Sequence, residues 1–136
     1  MFELMIVLSI IMVIMAMALP QMFSIREDYR LTAVASELVG YASNAWILAI
    51  TENSDFRVAV IDSDTYAIQE DISGTWTTDA SYDLPSGFSI APANANETAE
   101  FHSRGNATPV TTFTITNPNN NTRDVVVSLS GRVNAQ

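Results

Sequence analysis

The order of apolar and polar positions divides the chain in two. Residues 4 to 19, LMIVLSIIMVIMAMAL, are apolar except for Ser9, and all six methionines lie within the first 22 residues. Met1 to Pro20 supplies about the ~20 residues needed to cross a bilayer. Beyond Pro20, Leu31, Val34, Ala35, Leu38, Ala42, Ala45, Trp46 and Ala49 recur at helical spacing, with Glu27, Asp28, Thr32, Ser36, Ser43 and Asn44 opposite them. That pattern predicts one amphipathic helix from about Ser24 to Glu52, ending at Asn53, Ser54 and Asp55. Gly40 inside it costs roughly 1 kcal/mol against alanine. Pro20 has no amide proton and clashes with the carbonyl of Ala16, so a kink or short unwound stretch is expected within residues 12 to 20. About 50 helical residues would measure ~75 Å, so one half must protrude from so small a domain.

The remaining residues alternate short β-type runs with turn chemistry. Phe56 to Ile61 and Thr65 to Gln69 flank an Asp62-Ser63-Asp64 turn, and a Thr-rich run around Trp76 follows Ser73-Gly74. Gly87 to Ile90, Ala99 to His102, Val110 to Thr116 and Asp124 to Leu129 continue the series, with a strong turn at Asn117-Pro118-Asn119-Asn120-Asn121. The expected fold class is α+β: a long N-terminal helix whose amphipathic half covers a small antiparallel sheet, read as one meander. The expected division is an apolar helix, 1–24, and a globular domain, 25–136, made of helix 25–52 and sheet 56–133.

Composition narrows the function. The chain has 136 residues, enough for one domain. Fifteen acids face six basic residues, all arginine, for a net charge of -9. Such a surface repels phosphate backbones, so no nucleic-acid partner is expected. The absence of cysteine excludes disulfides, zinc–thiolate sites and a thiol nucleophile.

Glu3 is the unusual residue of the apolar end. A secretory signal peptide needs a basic start, whereas the only charged side chain ahead of the run is Glu3; Ala16 and Ala18 alone resemble a cleavage site. An ordinary single-pass anchor leaves the carboxylate unexplained, because an acid at the end of a membrane segment is costly and usually has a partner.

The segment Glu3-Leu4-Met5-Ile6-Val7-Leu8-Ser9-Ile10-Ile11, with Pro20 seventeen residues after the glutamate, resembles the N-terminal segment of type IV pilins and of type II secretion pseudopilins. The likeness covers about the first 25 residues. The closing Asp124-Val125-Val126-Val127-Ser128-Leu129-Ser130-Gly131-Arg132-Val133 is similar to the last strands of minor pilins and H-type pseudopilins. Met1 and Phe2 alone precede Glu3, fewer than in the family, and Met12 stands where relatives often carry glycine. The resemblance implies a filament subunit held in the inner membrane before assembly, N-methylated at its start. It implies assembly through Met1, Phe2 and Glu3, with Glu3 neutralising the terminal amine of the next copy in a helical homo-oligomer at the cell surface. It also implies pilus or secretion machinery as partners. The alternatives are a secretion pseudopilin and an anchored extracytoplasmic domain that never polymerises.

The remaining chemistry points away from an enzyme. His102 is the sole histidine and reads as an ordinary strand residue. Asp62 and Asp64 read as turn formers rather than calcium ligands, and no G-x-S-x-G motif occurs. Tyr29, Tyr41 and Trp46 read as packing residues. Asn96, Asn106 and Asn120 each head an N-x-[ST] glycosylation acceptor, three in a domain rich in Asn and Thr. No cofactor or metal is expected.

Overall fold

The computed structural model describes residues 2–93 and 98–136, with residues 17–24 described by their helical backbone only. Helix α1 spans Phe2–Glu52. It ends at Asn53, whose φ of 53° is the left-handed conformation that closes a helix C-terminus. The helix is assigned without a break across Pro20, so the unwound stretch expected before that residue is absent from the isolated subunit. Whether the axis bends between Ala16 and Pro20 lies outside the described side chains.

Among the described residues nine strands follow: β1 (Phe56–Asp62), β2 (Thr65–Ile72), β3 (Thr75–Asp83), β4 (Ser89–Pro92), β5 (Ala99–Phe101), β6 (Ala107–Thr108), β7 (Thr111–Thr116), β8 (Thr122–Val127) and β9 (Val133–Ala135). All pair antiparallel, but they do not make the single meander that the turn spacing suggested. They form a five-stranded sheet in the order β3-β2-β1-β5-β6 and a four-stranded sheet in the order β4-β7-β8-β9. The chain leaves the first sheet after β3, returns to pair β5 with β1 (Phe56 opposite Phe101), and then crosses again to β7. Nine twisted strands in one sheet would turn away from a single helix, whereas two sheets both face its apolar stripe. The last strands also differ in their bounds: β8 stops at Val127, leaving Leu129 exposed in a turn, and β9 reaches Ala135.

The predicted stripe is the core. Leu31, Val34, Ala35, Leu38, Ala42, Ala45 and Ala49 are buried against Phe56, Val58, Phe101, Phe113, Ile115, Val125 and Val127. Four of those helix positions are alanine, which lets the strands lie close to the helix backbone. In β7 the inward set is Thr111, Phe113 and Ile115. The buried Thr111 hydroxyl donates to the Pro109 carbonyl at 3.2 Å, so its polar atom is not left unpaired.

Candidate functional site

Every large apolar side chain from Phe2 to Met15 is exposed, from 43% at Ile11 to 86% at Phe2. No described residue covers them. Ser9, the one polar residue of the run, donates to the Met5 carbonyl at 2.8 Å, so its hydroxyl needs no outside partner. Glu3 sits in the first turn of α1, where the helix dipole favours a carboxylate. Phe2 and Glu3 therefore share the exposed end of an unpartnered apolar helix. Met1, named with them, lies outside the described residues.

By apolar composition and length, Ile25–Glu52 qualifies as a membrane span. A third of it is buried within the subunit, and the sheets occupy its apolar stripe. It is a packing helix. The apolar segment free to enter a bilayer or a bundle of helices is the one beginning at Phe2.

Where α1 meets the globular part, its exposed polar face also hydrogen-bonds to the β7–β8 turn. Asp28 Oδ1 accepts from Asn121 Nδ2 at 2.6 Å and Asn117 Nδ2 at 3.3 Å, and Arg123 Nη1 donates to Thr32 Oγ1 at 2.6 Å. An open recess of about 420 Å³ lies beside these groups, lined also by Leu31, Thr122 and Gln136. Asp28 and Thr32 lie on the exposed polar face, as the helical spacing predicts, and the β7–β8 turn reaches back to them. Tyr29 on the same stretch is 74% exposed and so is not core. Tyr41 does pack, stacking on Tyr82 at 3.9 Å between ring centroids, with Tyr66 on that ring at 5.5 Å. Burial first, then the neighbouring Glu37 and the other two tyrosines, push the Tyr66 hydroxyl well above its ordinary pKa.

Asn106 and Asn120 are exposed in turns, Asn120 with a φ of 61°; Asn96 lies outside the described residues. No group of three or more His, Asp or Glu side chains that could hold a metal ion is found among the described residues.

One cluster escaped the sequence reading. His102 Nδ1 lies 2.9 Å from Asp55 Oδ2 and Nε2 lies 2.7 Å from Thr108 Oγ1. The second Asp55 oxygen accepts the Ser103 amide at 3.1 Å. Burial disfavours the Asp55 carboxylate, but the His102 hydrogen bond, the Ser103 amide and the His102 charge outweigh it, so its pKa is lowered. These residues are separated by 47 and 6 positions in sequence, a spacing no local motif reveals. The β1–β5 pairing brings them together.

No protein-family model matches the sequence, and no curated protein matches it in sequence. The fold does have relatives. The type IV minor pilin FimU of Pseudomonas aeruginosa superposes with a TM-score of 0.67 at 18% identity, over 81% of this chain and 90% of that one. The minor pseudopilin EpsH of the Vibrio cholerae type 2 secretion system superposes with a TM-score of 0.66 at 15% identity, over 79% and 96%. The chain has a pilin-like fold. Its pilin-like architecture is the one implied by the N-terminal segment and the closing strands: a long helix, apolar at its start, laid on antiparallel sheets.

Proposed function

We propose that the chain is a structural, non-enzymatic subunit of a type IV pilus-like filament, assembled through its N-terminal helix. The observation that carries this reading is the apolar helical stretch Phe2–Ala16, exposed on all sides at the start of a pilin-like fold. Such a surface is stable in water only when covered. Before assembly the inner membrane covers it; in the filament, the helices of other copies do. Glu3 then faces a desolvated bundle, and the terminal amine of a neighbouring chain is the cation that neutralises it. Arg26, Glu27, Asp28 and Arg30 mark the point where the helix enters water, and the acidic sheets form the coat. Pro20 is the joint between core and coat, where a local melt from 12 to 20 would appear on assembly rather than in the free subunit. The likeness to a minor pseudopilin supports a second form of the same reading, a short secretion filament.

Electron microscopy of sheared surface material, with this chain labelled, tests the proposal. Labelled filaments support it. A chain that remains in the membrane fraction under conditions where filaments are made would mean an anchored domain that does not polymerise.

A further inference from the structure

The Asp55–His102–Thr108 cluster lies just beyond the C-terminal end of α1, at the opposite end from the exposed segment Phe2–Ala16. A carboxylate only accepts hydrogen bonds, so in the neutral ring the proton sits on Nδ1, facing Asp55. That tautomer leaves the Nε2 lone pair to accept the Thr108 hydroxyl proton at 2.7 Å. Asp55 is itself fixed by the Ser103 amide. A hydroxyl within reach of an imidazole, which a third group orients, is the arrangement that activates a nucleophile. Thr108 is exposed, and the His102 and Asp55 side chains are 29% and 38% exposed, so a small molecule can approach. Among the described residues Asp55 is the only carboxylate within 4 Å of the ring. The other charges on the segments around it are Arg104 in the same turn, Glu100 on β5, Arg57 on β1 and Glu52 at the end of α1.

We infer that Thr108 is an acyl-acceptor site, activated by His102 and Asp55, that takes an acyl group from small activated esters or thioesters. Thr108 Oγ1 attacks the acyl carbonyl carbon as its proton passes to His102 Nε2. Asp55 holds the Nδ1 proton and stabilises the imidazolium. The tetrahedral adduct collapses, the alcohol or thiol leaving group departs with the electron pair of its bond, and the imidazolium returns the proton to that group or to water. The product is an O-acyl threonine. The next residue is Pro109, which has no N–H to offer an oxyanion, so the site lacks the donor that an efficient hydrolase places there. The missing donor slows acyl transfer onto Thr108 and hydrolysis off it alike, so the site takes up an acyl group slowly and holds it. Thr108 lies on β6, just after the β5–β6 turn, which packs on Trp46 and Ile50 at the far end of α1 from Phe2–Ala16.

The test is labelling of the full chain in detergent with p-nitrophenyl acetate, followed by peptide mapping. The chain has neither lysine nor cysteine, so the usual competing nucleophiles are absent. Wild type should gain one acetyl group on the peptide containing Thr108. Thr108→Ser should keep the labelling. Thr108→Val, which replaces the hydroxyl by a methyl group, should lose it while the domain stays folded. His102→Gln should slow it about 100-fold, and Asp55→Asn should fall between. Acetyl groups found only on the terminal amine or tyrosines would overturn the inference. So would labelling of Thr108 at an equal rate in His102→Gln, which would leave a merely exposed hydroxyl.

Discussion

The Trp46 indole N–H donates to the Gly105 carbonyl at 2.8 Å, tying the last turns of α1 to the β5–β6 turn across 59 positions of sequence. Gly131, in the β8–β9 turn, closes over the same ring: a Cβ there would collide with the indole Nε1 and Cδ1 and lie 2.9 Å from the Gly105 carbonyl oxygen. With a φ of 75°, this glycine serves both backbone and packing. Gly131→Ala should destabilise the domain by about 2–3 kcal/mol, measured as a lower urea midpoint. Gly40 offers the contrast, since a Cβ there meets nothing within 4 Å. Gly40→Ala should stabilise the domain by roughly 0.5–1 kcal/mol and so raise the midpoint. Equal effects from the two substitutions would contradict this account of the glycines.

Filament assembly should depend on Glu3 without the fold depending on it. Glu3 is exposed in the free subunit, so Glu3→Ala should leave the membrane-held subunit folded while greatly reducing filaments. Glu3→Asp should be intermediate, because the shorter side chain reaches less far. Filament yield by quantitative microscopy decides, and a normal yield from Glu3→Ala would remove the proposed pairing with a neighbour's amine.

Residues 25–136 should fold without the apolar start. The core runs from Leu31 to Val133 and takes nothing from Phe2–Ala16. A fragment beginning at Ile25 should be soluble and monomeric, its acidic surface resisting association. Sedimentation velocity is the check: a stable oligomer would show that the sheet domains, not the helix, drive assembly.

The Asp55–His102 contact makes stability depend on pH at the acid end. The folded-state pKa of Asp55 is lowered, so its contribution is present above the unfolded carboxylate pKa, about 3.9, and is lost as pH falls through the folded value. Thermal midpoints measured from pH 6 down to pH 2 should therefore fall more steeply below about pH 4 for wild type than for Asp55→Asn. Parallel curves would mean that the carboxylate gains nothing from His102 and Ser103.

The division between what the sequence fixes alone and what folding adds follows from how local each signal is. Helical spacing from Leu31 to Ala49 is written into neighbouring residues, and the structure buries those apolar positions, with Trp46 half-covered. The strand positions are equally local, because alternation and Asn, Gly and Asp turns act within a few residues. The apolar run and Glu3 are legible for the same reason. Sheet membership is not local: whether β4 pairs with β3 or β7 depends on which edge is free once the helix is covered, and the turn spacing says nothing of that. The ties of Asp28 to Asn117 and Asn121, and of Trp46 to Gly105, arise only when distant turns fold back on the helix. His102 shows the limit most directly. Its sequence neighbours supply no acid pattern, and only the pairing of β1 with β5 brings the Asp55 carboxylate to its ring. Periodicity decides which faces are apolar; long-range pairing, set by how strands share one helix stripe, decides which polar groups meet.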